Sequence, residues 1–139
     1  MNYSKVITIT VNTINSIFIF SVFYVSVLSL LDPQATMNLV DVQLENNDAL
    51  SSIRGIYGGA GLAITIGTAF LLIRNNLWAS AFYAIFWGGY ALSRIITIFV
   101  DGPLGAFGNQ WLTIELLFCS LGILCTFLLQ KQLKKEGAK

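Results

Sequence analysis

The sequence predicts an all-α integral membrane protein, a bundle of four transmembrane helices with both termini in the cytoplasm. Of its 139 residues, 55% are hydrophobic and 11% are charged, whereas an average soluble domain has about 25% charged residues. The apolar residues form four long runs, each close to the roughly 20 helical residues that span a hydrocarbon core. The charges outside these runs are sorted by sign. We expect one domain over residues 1–139.

The predicted spans lie at about residues 6–31, 52–73, 77–100 and 111–130. The first is too long for the apolar core of a signal peptide, which is about 7–15 residues and precedes a small-residue cleavage site. Asp32 and Pro33 end it, because proline disfavours helix in the preceding residue. Residues 32–51 form the long outer loop. Its apolar-polar stretch at 37–44 is either a short helix on the membrane surface or irregular chain.

Short polar stretches join the other spans. Residues 46–48 read as a turn and helix cap before the second span. The tight connection at 74–76 predicts that the third span returns antiparallel to the second. Residues 101–110 are rich in glycine and form a break before the fourth span.

Basic and acidic residues outside the spans fall almost entirely on opposite sides of the membrane. The side with both termini and the 74–76 connection carries the basic residues Lys5, Arg74, Lys131, Lys134, Lys135 and Lys139. The other side carries the acidic residues Asp32, Asp41, Glu45, Asp48 and Asp101. Because positively charged segments stay in the cytoplasm, we expect both termini there.

Three charges remain inside the spans, namely Arg54, Arg94 and Glu115. A rise of 1.5 Å per residue places all three roughly 3–10 Å below the outer boundary. Hydrocarbon offers a charge no partner, so we expect Glu115 to pair with Arg94 and Arg54 to complete a triad, balanced by Asp101 or Asp48. This layer is a structural ion-pair cluster, a pocket open to an anionic ligand, or part of an ion pathway. The third alternative lacks a titratable relay in the inner half.

Aromatic side chains share helical faces with these charges. They are either packed core or the wall of a deep apolar pocket with polar groups at one end. Such a pocket suits a lipid or quinone-like molecule. The aromatic residues of the candidate site are Tyr57, Trp87, Tyr90 and Trp111.

Small residues recur every four positions on one face of the second span. We call this row the glycine ridge; it consists of Gly55, Gly59, Ala63 and Gly67. Gly88 and Gly89 form a corresponding patch of small residues in the third span. Small residues let helices approach closely in lipid, so the ridge is expected to pack helices within the bundle or between copies. A second face leads to the charged layer and is the candidate functional face; it carries Arg54, Gly58, Gly61, Thr65 and Thr68.

Other residue types narrow the chemistry further. Asn12 and Asn15 in the first span are expected to hydrogen-bond between helices or to line a polar cavity. Cys119 and Cys125, six residues apart, point to different helical faces and are expected to stay free. Histidine is absent, which removes a common metal ligand and proton shuttle. We predict no metal and no cofactor, and the net charge of +1 argues against nucleic acid.

Four stretches resemble domain-of-unknown-function family 4345, whose members are small four-helix bacterial membrane proteins: IRGIYGGAGLA at 53–63, GGYALSR at 88–94, DGP at 101–103 and IELL at 114–117. The resemblance implies a bacterial cytoplasmic (inner) membrane protein and brings no activity with it. The motif positions that it implies are Arg54, Gly58, Gly59, Arg94, Asp101, Gly102 and Glu115.

Three functions follow in order of expectation. The first is a non-enzymatic accessory or interaction subunit, whose partner is a second copy or another membrane protein. The second is a binder or transporter of a lipid-like or anionic small molecule. An enzyme ranks last, because the sequence shows no nucleophile–base set.

Overall fold

The computed structural model describes residues 3–137, and nearly all of them are helical. The elements are α1 (Tyr3–Leu31), α2 (Pro33–Asn38), α3 (Asn47–Ile53), a π-helix (Arg54–Ala60), α4 (Gly61–Arg74), α5 (Asn76–Val100) and α6 (Ala106–Gly137). Four segments are long and apolar enough to cross a membrane: Ser4–Leu31, Asn47–Arg74, Asn76–Val100 and Ala106–Lys135. The all-α class with four membrane-spanning helices is confirmed.

Side-chain caps set the ends of the helices. Asp32 caps α2, its carboxylate accepting a hydrogen bond from the backbone N–H of Ala35 at 3.0 Å. The Asn46 side chain accepts from the N–H of Ala49 at 2.8 Å, so the second span begins at Asn47 rather than at residue 52. A capping oxygen satisfies one of the N–H groups that a helix start leaves unpaired. Between α2 and α3 the chain is irregular, so most of residues 37–44 is loop.

The chain forms two compact units, which are described one at a time. The hairpin unit comprises Met1–Ser16 and Leu71–Lys139, and the ridge unit comprises Ile17–Phe70. The single domain over residues 1–139 stays a prediction.

In the hairpin unit, α5 and α6 pack at very short range. A Cβ atom added to Gly122 would lie 2.8 Å from the backbone nitrogen of Ala84, and one added to Gly88 would lie 3.2 Å from the Sγ atom of Cys119. These glycines therefore remove the atoms that would keep the two helices apart. Gly89, predicted to pack with Gly88, has no such contact, so that part of the prediction is wrong.

The first half of α1 joins this hairpin through polar and apolar contacts. The Asn15 amide donates to Ser80 Oγ at 2.8 Å, and the Asn76 amide donates to Asn12 Oδ1 at 3.2 Å. Interhelical hydrogen bonds of this kind contribute roughly 0.5–2 kcal/mol each in a membrane. Both cysteines are free, with Cys125 buried in a cluster with Val11 and Leu129.

In the ridge unit, the face that packs is the one that was expected to be functional. A Cβ at Gly58 would lie 2.6 Å from Leu30 Cγ, and one at Gly61 would overlap the Ser26 hydroxyl. Thr65 and Thr68, one and two turns further along this face, are buried as well. The absence of a side chain at both glycines lets α1 and the second span touch.

The glycine ridge does not pack within its own unit. A Cβ at Gly55 or Gly67 would meet no atom within 4 Å, and one at Gly59 would meet only the Arg54 carbonyl oxygen, at 3.9 Å. All three glycines and Ala63 are exposed. The ridge therefore makes no close contact inside its own unit, because the second span is rotated so that its other small face meets α1. Its packing within the bundle or between copies stays a prediction.

These contacts predict opposite effects for two matched substitutions on α5 and α6. Gly122→Ala is expected to lower the free energy of unfolding by about 1–3 kcal/mol, because the new methyl group meets stiff backbone at Ala84. Gly89→Ala is expected to raise it by up to about 1 kcal/mol, because alanine favours helix over glycine. Reversible unfolding in mixed detergent micelles, followed by circular dichroism, measures both. Equal effects would contradict the packing described here.

Candidate charged site

A buried ion pair joins α5 and α6 near the ends that the residue 101–105 connection links. The Arg94 Nε–H group donates to both carboxylate oxygens of Glu115, at 2.9 Å to Oε1 and 2.8 Å to Oε2. Glu115 is 1% exposed and the Arg94 side chain 22% exposed. A carboxylate buried this deeply in a membrane segment requires a cation partner, and Arg94 provides it.

The helix register brings these two residues together. Trp87 on α5 contacts Phe118 on α6 with ring centroids 5.0 Å apart, two turns before Arg94 and about one turn after Glu115. The close contact at Gly88 and Cys119 lies beside it. Because the helices run antiparallel, moving toward Arg94 on α5 means moving back toward Glu115 on α6. The packing of α5 against α6 thus holds Arg94 beside Glu115.

Only one of the N–H groups of Arg94 is used by the protein. An arginine side chain has five N–H donors, and the single Nε–H group is shared between the two Glu115 oxygens. Among residues 3–137, no side chain or carbonyl forms a hydrogen bond with either Nη nitrogen of Arg94. The Arg94 Cζ atom lies 5.9 Å from the centroid of the Phe107 ring, within the range of a cation–π contact.

Arg54 has a different role, within the ridge unit. Its Nε–H group donates to the backbone carbonyl of Leu30 at 3.1 Å, one residue before α1 ends. The last carbonyls of a helix lack intrahelical donors and carry partial negative charge, so an arginine there stabilises the end of α1. The side chain is exposed. The triad of Arg54 with Arg94 and Glu115 stays a prediction.

The aromatic residues of α5 and α6 form packed contacts. Trp87 is 6% exposed and lies against Phe118, while Tyr90 lies between Phe86 and Trp87 at 5.1 and 6.2 Å. The Trp111 ring is 6.0 Å from the Phe107 ring.

Two further predicted site residues are Asp101 and Tyr57. Asp101 is exposed, and only its backbone N–H has a described bond, to Thr97 at 2.8 Å. Tyr57 is half-buried within the π-helix. A groove of about 410 Å³ lies at the opposite end of α6 from Glu115, lined by Phe127, Gln130, Lys131, Lys134 and Lys135.

Sequence reasoning missed two partners of the arginines. Phe107 lies in the first turn of α6, before the predicted span start at residue 111, so it was assigned to a loop. The Leu30 carbonyl is a backbone group, and no side-chain pattern marks it. Throughout the described part of the chain, no three His, Cys, Asp or Glu side chains come together as a metal site requires.

The helices and the ion pair define a class: a four-span helical membrane protein with a paired arginine and glutamate in its third and fourth spans. Within that class, the chain belongs to the family described as Domain of unknown function (DUF4345), whose model matches residues 11–126. This match confirms the family resemblance. No curated protein and no solved structure matches the chain.

Removing one partner of the ion pair is expected to cost far more than removing both. Arg94→Gln leaves the Glu115 carboxylate buried and unpaired, at a cost of about 3–5 kcal/mol in the free energy of unfolding. The double variant with Glu115→Gln as well has no buried charge and is expected to recover most of that loss. A double-mutant cycle of unfolding free energies measures the coupling.

Lys131→Gln is the control, because Lys131 is exposed and lies far along α6 from Glu115. It is expected to change the free energy of unfolding by less than about 0.5 kcal/mol. Additive effects of the two site substitutions would show that the pair does not hold the hairpin together.

Proposed function

We propose that the protein is a non-enzymatic interaction subunit of the membrane, and that its glycine ridge docks against the ridge of a second copy. The observation that carries this proposal is the open space over the ridge: added Cβ atoms at Gly55 and Gly67 would meet nothing. The opposite face of the same span already holds α1. A small-residue face that its own unit leaves uncovered is available to another helix.

The properties of lipid favour docking of the ridge against another helix over a ridge that simply faces lipid. Apolar side chains gain nothing by leaving lipid for a protein neighbour, so helix association depends on close backbone approach at small residues. From Gly55 to Gly67 the ridge extends about 18 Å at 1.5 Å per residue. Exposed Ile56 and Ile66 stand on either side of it, which makes the ridge a shallow trough.

A second copy is the simplest occupant of this trough. The same patch on two chains forms a closed two-fold interface in which each ridge meets its own counterpart. Paired small-xxx-small faces are a known way for identical transmembrane helices to associate. Another membrane protein with such a face is the alternative occupant.

The ion pair supports the non-enzymatic part of the proposal. Its carboxylate is buried and bonded to Arg94, where it stabilises the helix hairpin instead of standing ready to exchange a proton. With no histidine in the chain, the most common general base is absent. The charged residues thus have structural partners rather than the arrangement of an acid–base pair.

Bulky substitutions on the ridge are expected to weaken self-association. Gly59→Ile and Gly67→Ile place branched side chains where two helices would touch, and we expect association about tenfold weaker or worse, a change of about 1.4 kcal/mol. Energy transfer between donor- and acceptor-labelled chains in liposomes, measured against protein-to-lipid ratio, gives the dissociation constant.

Gly89→Ile is the control, since Gly89 of α5 is also an exposed glycine with no atom within 4 Å of an added Cβ and lies outside the ridge. It is expected to leave association unchanged. If the unsubstituted protein shows no energy transfer at any ratio, a second copy is not the occupant. If all three variants associate equally well, the ridge is not the interface.

The charge distribution also supports an orientation, with the termini and the α4–α5 connection in the cytoplasm of a bacterium and the 32–46 and 101–105 loops outside its inner membrane. Arg74 and the lysines of α6 stand at the ends assigned to the cytoplasm, and such residues resist transfer across the membrane. The acidic residues Asp32, Asp41, Glu45, Asp48 and Asp101 lie at the opposite ends.

Reporter fusions test this orientation. Alkaline phosphatase, which folds only outside the cytoplasm, is expected to be active when inserted after Gln43 and inactive when fused to the C-terminus. A fluorescent protein that folds only in the cytoplasm is expected to give the reverse pattern. An active C-terminal phosphatase fusion would overturn the proposed orientation.

A further inference from the structure

We propose that Arg94 binds the phosphodiester headgroup of a phospholipid through the two Nη nitrogens that Glu115 leaves unbonded. This inference concerns the hairpin unit and does not depend on the glycine ridge, so the two proposals stand or fall separately. It assigns a binding role to a residue whose protein contact accounts for only part of its hydrogen-bonding capacity.

The unusual geometry of the ion pair is the first step. Arginine normally holds a carboxylate through two parallel N–H donors, one for each oxygen. Here a single Nε–H group serves both Glu115 oxygens, at 2.9 and 2.8 Å. Four N–H donors on the Nη nitrogens are therefore left, and no described residue accepts a hydrogen bond from them. An unsatisfied donor in hydrocarbon costs several kcal/mol, so an acceptor must come from outside the chain.

The second step is access. The Arg94 side chain is 22% exposed, whereas its partner Glu115 is 1% exposed. Arg94 lies six residues before the end of α5 at Val100, which is roughly 9 Å along the helix axis. A long arginine side chain at that depth reaches toward the headgroup layer while its stem stays among apolar residues. The exposed part of the guanidinium group is therefore accessible to a lipid headgroup.

The third step is orientation. Phe107, in the first turn of α6, lies with its ring centroid 5.9 Å from Arg94 Cζ, and Glu115 holds the Nε atom. Two contacts on different parts of the guanidinium group restrict its rotation. The remaining Nη donors are therefore held in place before any ligand arrives, which reduces the entropy lost on binding.

Phosphate is the acceptor that this arrangement fits best. The planar fork of an arginine matches two oxygens of one phosphate, and each N–H···O⁻ bond is charge-assisted. Because Arg94 and Glu115 together have no net charge, hydrogen bonding at the Nη nitrogens dominates over long-range attraction. Zwitterionic and anionic phospholipids are therefore both expected to bind, and lipids without a phosphate are not.

Native mass spectrometry of the purified full-length protein in detergent tests this directly. The probes are dioleoyl phosphatidylglycerol, dioleoyl phosphatidylcholine and dioleoylglycerol, which share their acyl chains and differ in the headgroup. We expect Arg94→Lys to bind both phospholipids about tenfold more weakly. A lysine keeps the charge beside Glu115 but has no second nitrogen to offer. Binding of dioleoylglycerol is expected to be weak and unchanged by the substitution.

Arg74→Lys is the matched control, the same substitution at an exposed arginine, and is expected to bind as the unsubstituted protein does. The Arg94→Gln/Glu115→Gln double variant removes the guanidinium without leaving a buried charge, so it decides the question if Arg94→Lys does not fold. Equal phospholipid binding by the double variant, or equally tight binding of dioleoylglycerol, would overturn the proposal. Displacement of phosphatidylglycerol by millimolar inorganic phosphate would make free phosphate the ligand and overturn the lipid assignment.

Discussion

Hydrocarbon offers no hydrogen bonds, and that single constraint explains most of the contacts inside this protein. Every polar group within a span must find a partner in the chain or reach the membrane surface. Glu115 meets the constraint through Arg94, and Asn15 through Ser80. Ser26 and Thr65 bond back to carbonyls of their own helices, at 2.7 and 2.9 Å. The chain supplies no acceptor for the Nη nitrogens of Arg94, and there a ligand from outside becomes part of the explanation. The constraint is not met everywhere, because Asn15 Oδ1 and the Trp87 Nε1–H group are buried without a hydrogen bond.

Close backbone approach is the second determinant, and it depends on which small face is used. The second span carries two faces of small residues on roughly opposite sides of the helix. One face, with Gly58 and Gly61, accepts Leu30 and Ser26 of α1; the other, the glycine ridge, stays open. A seven-residue π-helix, Arg54–Ala60, covers the start of both faces. Single-turn π insertions recur at functional sites in helices, and this one coincides with the stretch that best resembles the family.

The two arginines of the spans show how similar residues acquire different roles. Arg54 donates Nε–H to a helix-terminal carbonyl, and Arg94 donates Nε–H to a buried carboxylate. The first contact stabilises a neutral dipole end and leaves the side chain exposed. The second neutralises a full charge, which makes Arg94 indispensable to its partner and binds the hairpin together. The proposal for self-association follows from the glycine ridge that the ridge unit leaves uncovered. The proposal for phospholipid binding follows from the Nη nitrogens of Arg94 that the hairpin unit leaves without a hydrogen bond.

The sequence by itself determined the class, the number of spans, their caps and the pairing of Arg94 with Glu115. Length, apolar runs and turn residues are local properties, and a buried acid has few possible partners when one arginine lies on the adjoining span. Only the tertiary structure decided which glycine face packs, because both faces are built of small residues and their spacing in the sequence does not say which of them meets α1. It also showed that Phe107 joins the site and that Arg94 uses one nitrogen. Such facts depend on distances between helices, which the periodicity of a single helix does not contain.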